Sequence, residues 1–125
     1  MSLPTVHVAC LCAAWCRLCE DYRAVLREAA AELAPCGQAL RWHWIDIEDE
    51  ADLLGDVDVE TFPTLVIADS TAVRFAGPLT PQPETLRRLL RATIVDAQTD
   101  ARWPPAPPEM RAFAARLDQR SADTI

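Results

Sequence analysis

Hydrophobic and polar positions follow two different periods along this chain. Thr5 to Leu11 (TVHVACL) is short, β-branched and almost wholly apolar, the pattern of a strand buried on both faces. From Leu18 the apolar residues recur at Leu18, Tyr22, Val25, Leu26, Ala29 and Leu33, which is helical spacing with one apolar face. Charges fill the opposite face, where Arg17 and Asp21 stand at i,i+4 and Glu20 and Arg23 at i,i+3. Pro35 and Gly37 end this helix. Ala39 to Ile47 (ALRWHWIDI) predicts a second strand. A strand, a helix and a second strand form a βαβ crossover, so these two strands are expected to be parallel.

The second half follows a different order. Ala51 to Leu54 predicts a short helix, and Thr61-Phe62-Pro63-Thr64 leads into a strand at Leu65 to Ala68. A turn at Asp69-Ser70 and a strand at Ala72 to Ala76 complete an antiparallel hairpin, which Gly77-Pro78 interrupts. Thr80 is the expected cap of a further helix, with Pro81 at its first position and Leu86, Leu89, Leu90, Thr93 and Ile94 as its apolar face. The pattern is therefore α/β, in the order β-α-β-β-β-α, with one mixed sheet flanked by helices on both faces. After Asp100 the composition changes. Trp103-Pro104-Pro105-Ala106-Pro107-Pro108 predicts an extended polyproline run, and Met110, Phe113, Ala114 and Leu117 one more short amphipathic helix. The expected division is a domain over residues 1–98 and a Pro-rich extension over 99–125. The tail helix either folds back onto an apolar patch of its own domain or recruits a partner, and the first reading is preferred.

Charge narrows the partners. A chain of 125 residues with net charge −7 repels phosphate backbones and anionic membrane surfaces, so neither nucleic acid nor membrane is an expected partner. No apolar run approaches the roughly 20 residues that span a bilayer. Met1 to Leu11 is apolar but short, with no preceding Lys or Arg, and makes a poor secretory signal. The five cysteines are Cys10, Cys12, Cys16, Cys19 and Cys36. Their odd number, and the crowding of four of them between Cys10 and Cys19, point to reduced thiols and a cytoplasmic location rather than a secreted disulfide scaffold.

Trp15-Cys16-Arg17-Leu18-Cys19 falls where the first strand hands over to the first helix. Thiolate is the attacking species in thiol chemistry, and the free N–H groups and dipole of a helix N-terminus favour an anion there. Arg17 adds a neighbouring positive charge and is the candidate for tuning the ionisation of Cys16. Cys19 lies about one turn on, within reach to resolve a mixed disulfide.

Ala14-Trp15-Cys16-x-x-Cys19, Ile45-Asp46-Ile47, Phe62-Pro63-Thr64-Leu65 and Gly77 stand in the order and near the spacing of the thioredoxin-fold family, which residues 4 to 97 resemble. The resemblance implies a thiol–disulfide oxidoreductase with Cys16 and Cys19 as the catalytic pair. It implies a cis proline at Pro63 facing that pair, and a substrate groove formed by Trp15, Phe62, Pro63, Thr64 and Gly77. Its partners would be a disulfide-containing protein substrate and a separate reductase that restores the dithiol. No cofactor and no metal are implied.

The sequence also departs from the family. It starts directly at the first central strand, and Arg17-Leu18 replaces the Gly-Pro of typical thioredoxins. Cys10 stands where the family carries a buried Asp, and Trp42 stands at the place of a nearby lysine. General-base help for Cys19 is thus not visible, and a slower or more specialised exchanger is expected. Two rival readings stay open. Cys10-x-Cys12-x3-Cys16-x2-Cys19 offers four thiols to zinc or an iron–sulfur cluster, although a strand and a helix start do not readily converge on one ion. A thioredoxin fold used as a binding adaptor, with the tail as its working part, is the other. Cys10 reads first as a small core residue and otherwise as a third redox thiol close to Cys19, Cys12 likewise, and Cys36 as peripheral. His7 and His43 read as packed in strands, and Trp42 and Trp44 as core or helix contacts. The acidic run Asp46 to Glu60 reads as a solvated face, since Ala51 holds the place of an EF-hand glycine.

Overall fold

In the computed structural model, which describes residues 5–97, 102–123 and 125, the sheet is built around its most apolar strand. β1 (Val6–Cys12) is buried at every position. It pairs in parallel with β2 (Leu40–Asp46) and antiparallel with β3 (Thr64–Ala68), which pairs antiparallel with β4 (Val73–Pro78). The strand order is β2-β1-β3-β4. Gly77 and Pro78, expected to interrupt the hairpin, instead finish β4, opposite Leu65 and Thr64.

Alternation along the strands sorts two cores. Val6, Val8, Cys10 and Cys12 of β1, with Leu65 and Ile67 of β3, face helix α1 (Arg17–Leu33) and helix α3 (Pro83–Leu90). Trp42 and Trp44 of β2 pack against this same core. Ala9, Leu11, Ile45, Val66 and Ala68 face the other way, onto Leu54 of the short helix α2 (Ala51–Leu54) and onto Phe113, Ala114 and Leu117 of helix α4 (Pro108–Leu117). The sheet is thus covered on both faces, as its apolar pattern requires.

The helix boundaries follow local chemistry. α1 buries Cys19, Tyr22, Leu26 and Ala29. Leu18, expected on that apolar face, points outward and is 42% exposed, because Cys19 takes the core position next to it. A short 3₁₀ turn with Pro35, closed by Gly37 at φ 83°, ends α1; a left-handed φ of this kind favours glycine. α3 begins two residues later than expected, with Gln82 as N-cap and Pro83 rather than Pro81 in its first turn. Thr80 does not cap it; its hydroxyl lies 3.2 Å from that of Thr85. A π-helical turn over Arg91–Val95 extends α3, where the Arg74 guanidinium captures the Thr93 carbonyl at 2.8 Å.

The tail helix lies on the sheet, the folded-back alternative of the sequence reading. Phe113 and Leu117 are fully buried. The expected boundary between residues 98 and 99 lies outside the described residues. Beyond α4 the chain wraps the free edge of β2: the Asp123 N–H donates to the Trp42 carbonyl at 2.9 Å, and the Trp44 N–H donates to the Asp123 carboxylate at 2.7 Å. That closes an edge otherwise open to strand addition. A buried polar chain ties this tail to the sheet. Arg120, which can only donate, meets His43 Nδ1 at 3.0 Å. His43 Nε2 therefore carries the proton and donates to His7 Nδ1 at 3.0 Å, and His7 Nε2 donates to Asp118 at 2.6 Å. His7 and His43 are packed in strands, as their sequence context suggests. Among the described residues, no helix is long and apolar enough to cross a membrane.

Candidate functional site

The C-terminal end of β1 delivers the chain to α1 through a tight turn in which the Cys16 N–H donates to the Ala13 carbonyl at 3.0 Å. Cys16 is the N-cap of α1, in extended conformation (φ −89°, ψ 104°), and is half-buried. Arg17, next to it, is exposed. Cys19, one turn into the helix, is 1% exposed. Burial pushes the Cys19 thiol up, and contacts with Cys12 and Cys16 add to the effect. An accessible sulfur and a protonated, sheltered one thus lie side by side.

The residue before Cys16 carries an exposed aromatic ring. Trp15 is 68% exposed and stands edge-on to Phe62, ring centroids 5.4 Å apart. Its indole N–H donates to Glu48 at 2.9 Å, which fixes the ring. The Phe62–Pro63 peptide bond is cis. Pro63 is buried and its carbonyl accepts from the Leu79 N–H at 3.1 Å. The Thr64 hydroxyl turns back to the Thr61 carbonyl. Thr64 and Gly77 line a cavity of about 310 Å³ with Val57 and Met110, and this is a different cavity from the one at the thiols. Of the expected groove residues, Trp15 and Phe62 are in ring contact.

The thiols open into a cavity of about 390 Å³ lined by Cys12, Cys16, Cys19, Glu20, Trp44 and Asp46, among others. Two features of it were missed or given second place by sequence reasoning. One is Asp46, assigned there to a solvated acidic face. Alternation along β2 puts it on the side of Trp42 and Trp44, opposite Cys12 in the β1–β2 register. The other is Cys12 itself. Its sulfur lies 3.4 Å from that of Cys10, both buried. The contact with Cys10, together with burial, pushes the Cys12 thiol far up. Cys36 is exposed at the far end of α1. Among the described residues, no group of three or more His, Cys, Asp or Glu side chains has the geometry to hold a metal ion.

These features define a class: a four-stranded mixed α/β sheet with a thiol pair at a strand-to-helix junction and a cis proline at the start of the neighbouring strand. The chain has the thioredoxin fold. A thioredoxin from Trypanosoma brucei brucei superposes with TM-score 0.62 at 25% identity, over 77% of this chain and 80% of that one. The germline-specific thioredoxin Deadhead of Drosophila melanogaster superposes with TM-score 0.62 at 15% identity, over 73% of this chain and 83% of that one. A mitochondrial thioredoxin 3 from Saccharomyces cerevisiae does so with TM-score 0.58 at 17% identity, over 70% and 77%. No protein-family model and no curated protein sequence matches the chain.

Proposed function

We propose that this chain is a thiol–disulfide oxidoreductase that reduces a protein disulfide through Cys16 and Cys19. One observation carries the reading: a half-buried Cys16 caps a helix N-terminus while Cys19 is sealed one turn behind it. Cys16 reacts as thiolate, at a helix end whose unpaired N–H groups and dipole attract an anion, with Arg17 adjacent. The thiolate attacks one sulfur of the substrate disulfide. A mixed disulfide forms and one substrate thiolate leaves, to be protonated by solvent. Cys19 then gives up its proton and attacks the Cys16 sulfur, the mixed bond breaks, and the second substrate thiolate leaves. Two electrons have passed to the substrate, and the chain is left with a Cys16–Cys19 disulfide. The Cys19 proton goes to solvent in the shared cavity, where Glu20 and Asp46 supply carboxylates.

The substrate segment would dock over Trp15 and Phe62, with Pro63, Thr64 and Gly77 supporting the Phe62 backbone. Because the Pro63 carbonyl is already engaged by Leu79, the main-chain groups offered to a substrate are those of Phe62. A dithiol reductase, in a reducing compartment such as the cytoplasm, would return the pair to its working state. Cys19→Ser tests the mechanism, since it lets the first attack proceed and removes the second. Incubated with lysate from its own source, this variant should accumulate mixed disulfides at Cys16 that a reductant releases. If it collects no adduct beyond a Cys16→Ser, Cys19→Ser control, the mechanism fails.

A further inference from the structure

Four thiols form one continuous cluster. Cys10 and Cys12 are neighbours on the same face of β1, with sulfurs 3.4 Å apart. Cys12 shares its cavity with Cys16 and Cys19. The side of Cys12 away from Cys10 thus faces the resolving sulfur, and Cys10 lies behind it in the core. Two residues on one strand face have Cα atoms about 6.6 Å apart. That is the upper end of the range a disulfide spans, and a bond also needs the Cβ atoms within about 4.5 Å, so β1 has to shorten locally between Cys10 and Cys12 as the inner disulfide forms.

We propose that Cys10 and Cys12 are a second, internal dithiol in exchange with Cys16 and Cys19, so that one chain takes up two disulfide equivalents from its substrate. This rests on the exchange reading above and extends it. Once a substrate has left a Cys16–Cys19 disulfide, Cys12 attacks the Cys19 sulfur. The Cys16–Cys19 bond breaks, a Cys12–Cys19 bond forms, and Cys16 leaves as a thiolate that takes the proton Cys12 gave up. Cys10 then attacks the Cys12 sulfur, the Cys12–Cys19 bond breaks, and Cys19 receives the proton from Cys10. Two electrons have moved from the inner pair to the outer pair. No reagent is consumed, and Cys16 is ready for a second substrate disulfide. After that second turn all four thiols are oxidised, as Cys10–Cys12 and Cys16–Cys19.

Tyr22 supports the assignment. Its hydroxyl is buried and finds no hydrogen-bond partner among the described residues, and it lies close enough to Cys10 and Cys12 to feel their charge. An unpaired phenol beside two thiols has a use when one of them becomes an anion, since it can donate to the thiolate. The contact with Cys10 and then burial oppose forming that anion at Cys12, so the inner step is expected to be slower than the outer one.

The test counts thiols. Fully reduced protein carrying Cys36→Ser, kept anaerobic and without a reductase, is mixed with a large excess of oxidised glutathione. Samples are quenched in acid, alkylated and mapped by mass spectrometry. The expected result is biphasic: two thiols lost quickly as Cys16–Cys19, then two more slowly as Cys10–Cys12. Adding Cys16→Ser should protect Cys10 and Cys12 over the same time. If only Cys16 and Cys19 are lost, the inner dithiol is refuted and the exchange reading stands. Should no disulfide form at all, both fall. If Cys10 and Cys12 oxidise equally fast in the Cys16→Ser protein, they react directly with the reagent and the relay is overturned.

Discussion

The docking of α4 carries a quantitative consequence. Phe113 is fully buried against the sheet face formed by Ala9, Leu11, Ile45 and Val66, with Ala114 and Leu117 beside it. Phe113→Ala removes the ring and leaves a cavity that the rigid sheet can fill only in part. Truncations of this kind cost about 3–5 kcal/mol. Against a total stability of about 5–15 kcal/mol, that is a large share. Urea unfolding, followed by tryptophan fluorescence and by circular dichroism, reads the loss directly. With an m-value of about 2 kcal/mol per M, the midpoint should fall by about 1.5–2.5 M. Arg111→Gln, on the exposed side of the same helix, should shift stability by no more than about 0.5 kcal/mol. The two probes should also give one coincident transition, because tail and sheet share a core. A loss under about 1 kcal/mol, or an early separate transition for the tail, would refute the claim that α4 is an integral layer of the domain.

Two further outcomes follow from the buried polar groups. Burial, with His7 and Arg120 adding to it, holds the His43 pKa down at about 4, against an ordinary 6.5. The folded state therefore prefers neutral His43, and its contribution is complete above pH 6.5 and lost as pH falls from 6.5 through 4. It amounts to at most about 3 kcal/mol, readable as a pH-dependent urea midpoint that flattens in His43→Gln. Asp69 is the second case. Its carboxylate takes two bonds from Arg74, at 3.0 and 2.8 Å, and accepts from the Thr71 and Ala72 N–H groups. Burial alone would raise its pKa, but these hydrogen bonds win and lower it. Asp69→Ala would leave the buried Arg74 guanidinium without its counter-charge, and thermal unfolding should show a loss of about 3–5 kcal/mol. The Arg74 guanidinium also lies over the Trp103 ring, 5.5 Å from its centroid, and a change under about 1 kcal/mol would mean that Thr93 and Trp103 alone hold it.

Most of the architecture was legible because it depends on periodicity. A run of apolar residues from Val6 and the helical spacing after it place β1 and α1 without tertiary knowledge. What escaped depends on contacts between distant residues. The start of α3 was set two residues early because Thr80-Pro81 is as good a local cap as Gln82-Pro83. The facing of Leu18 was missed because a thiol, not a leucine, fills the core position at the helix start. Asp46 was read by its charge among a run of acids. Its strand alternation with Trp42 and Trp44 was the better signal and was available in the sequence. The 3.4 Å approach of Cys10 to Cys12 was legible only as spacing, since any residue pair two apart on a strand shares a face.

The tail and the thiols are also linked through the sheet. Asp123 and Arg41 fasten the last residues to the outer edge of β2, with Arg41 reaching the Asp118 carbonyl at 3.4 Å. β2 in turn fixes the end of β1: the Ile47 N–H donates to the Cys12 carbonyl at 2.9 Å, and Cys12 stands opposite Asp46. Arg120 binds Glu50 at 2.8 and 3.0 Å and so anchors the turn that follows β2 and carries Glu48, the partner of the Trp15 indole. Each link is a hydrogen bond between elements that are themselves packed, so the position of Cys12 and of the α1 N-terminus is set from the edge strand inward. The C-terminal residues are on this view part of what holds the dithiol in place, and the site is a property of the whole sheet rather than of the Trp15–Cys19 segment alone.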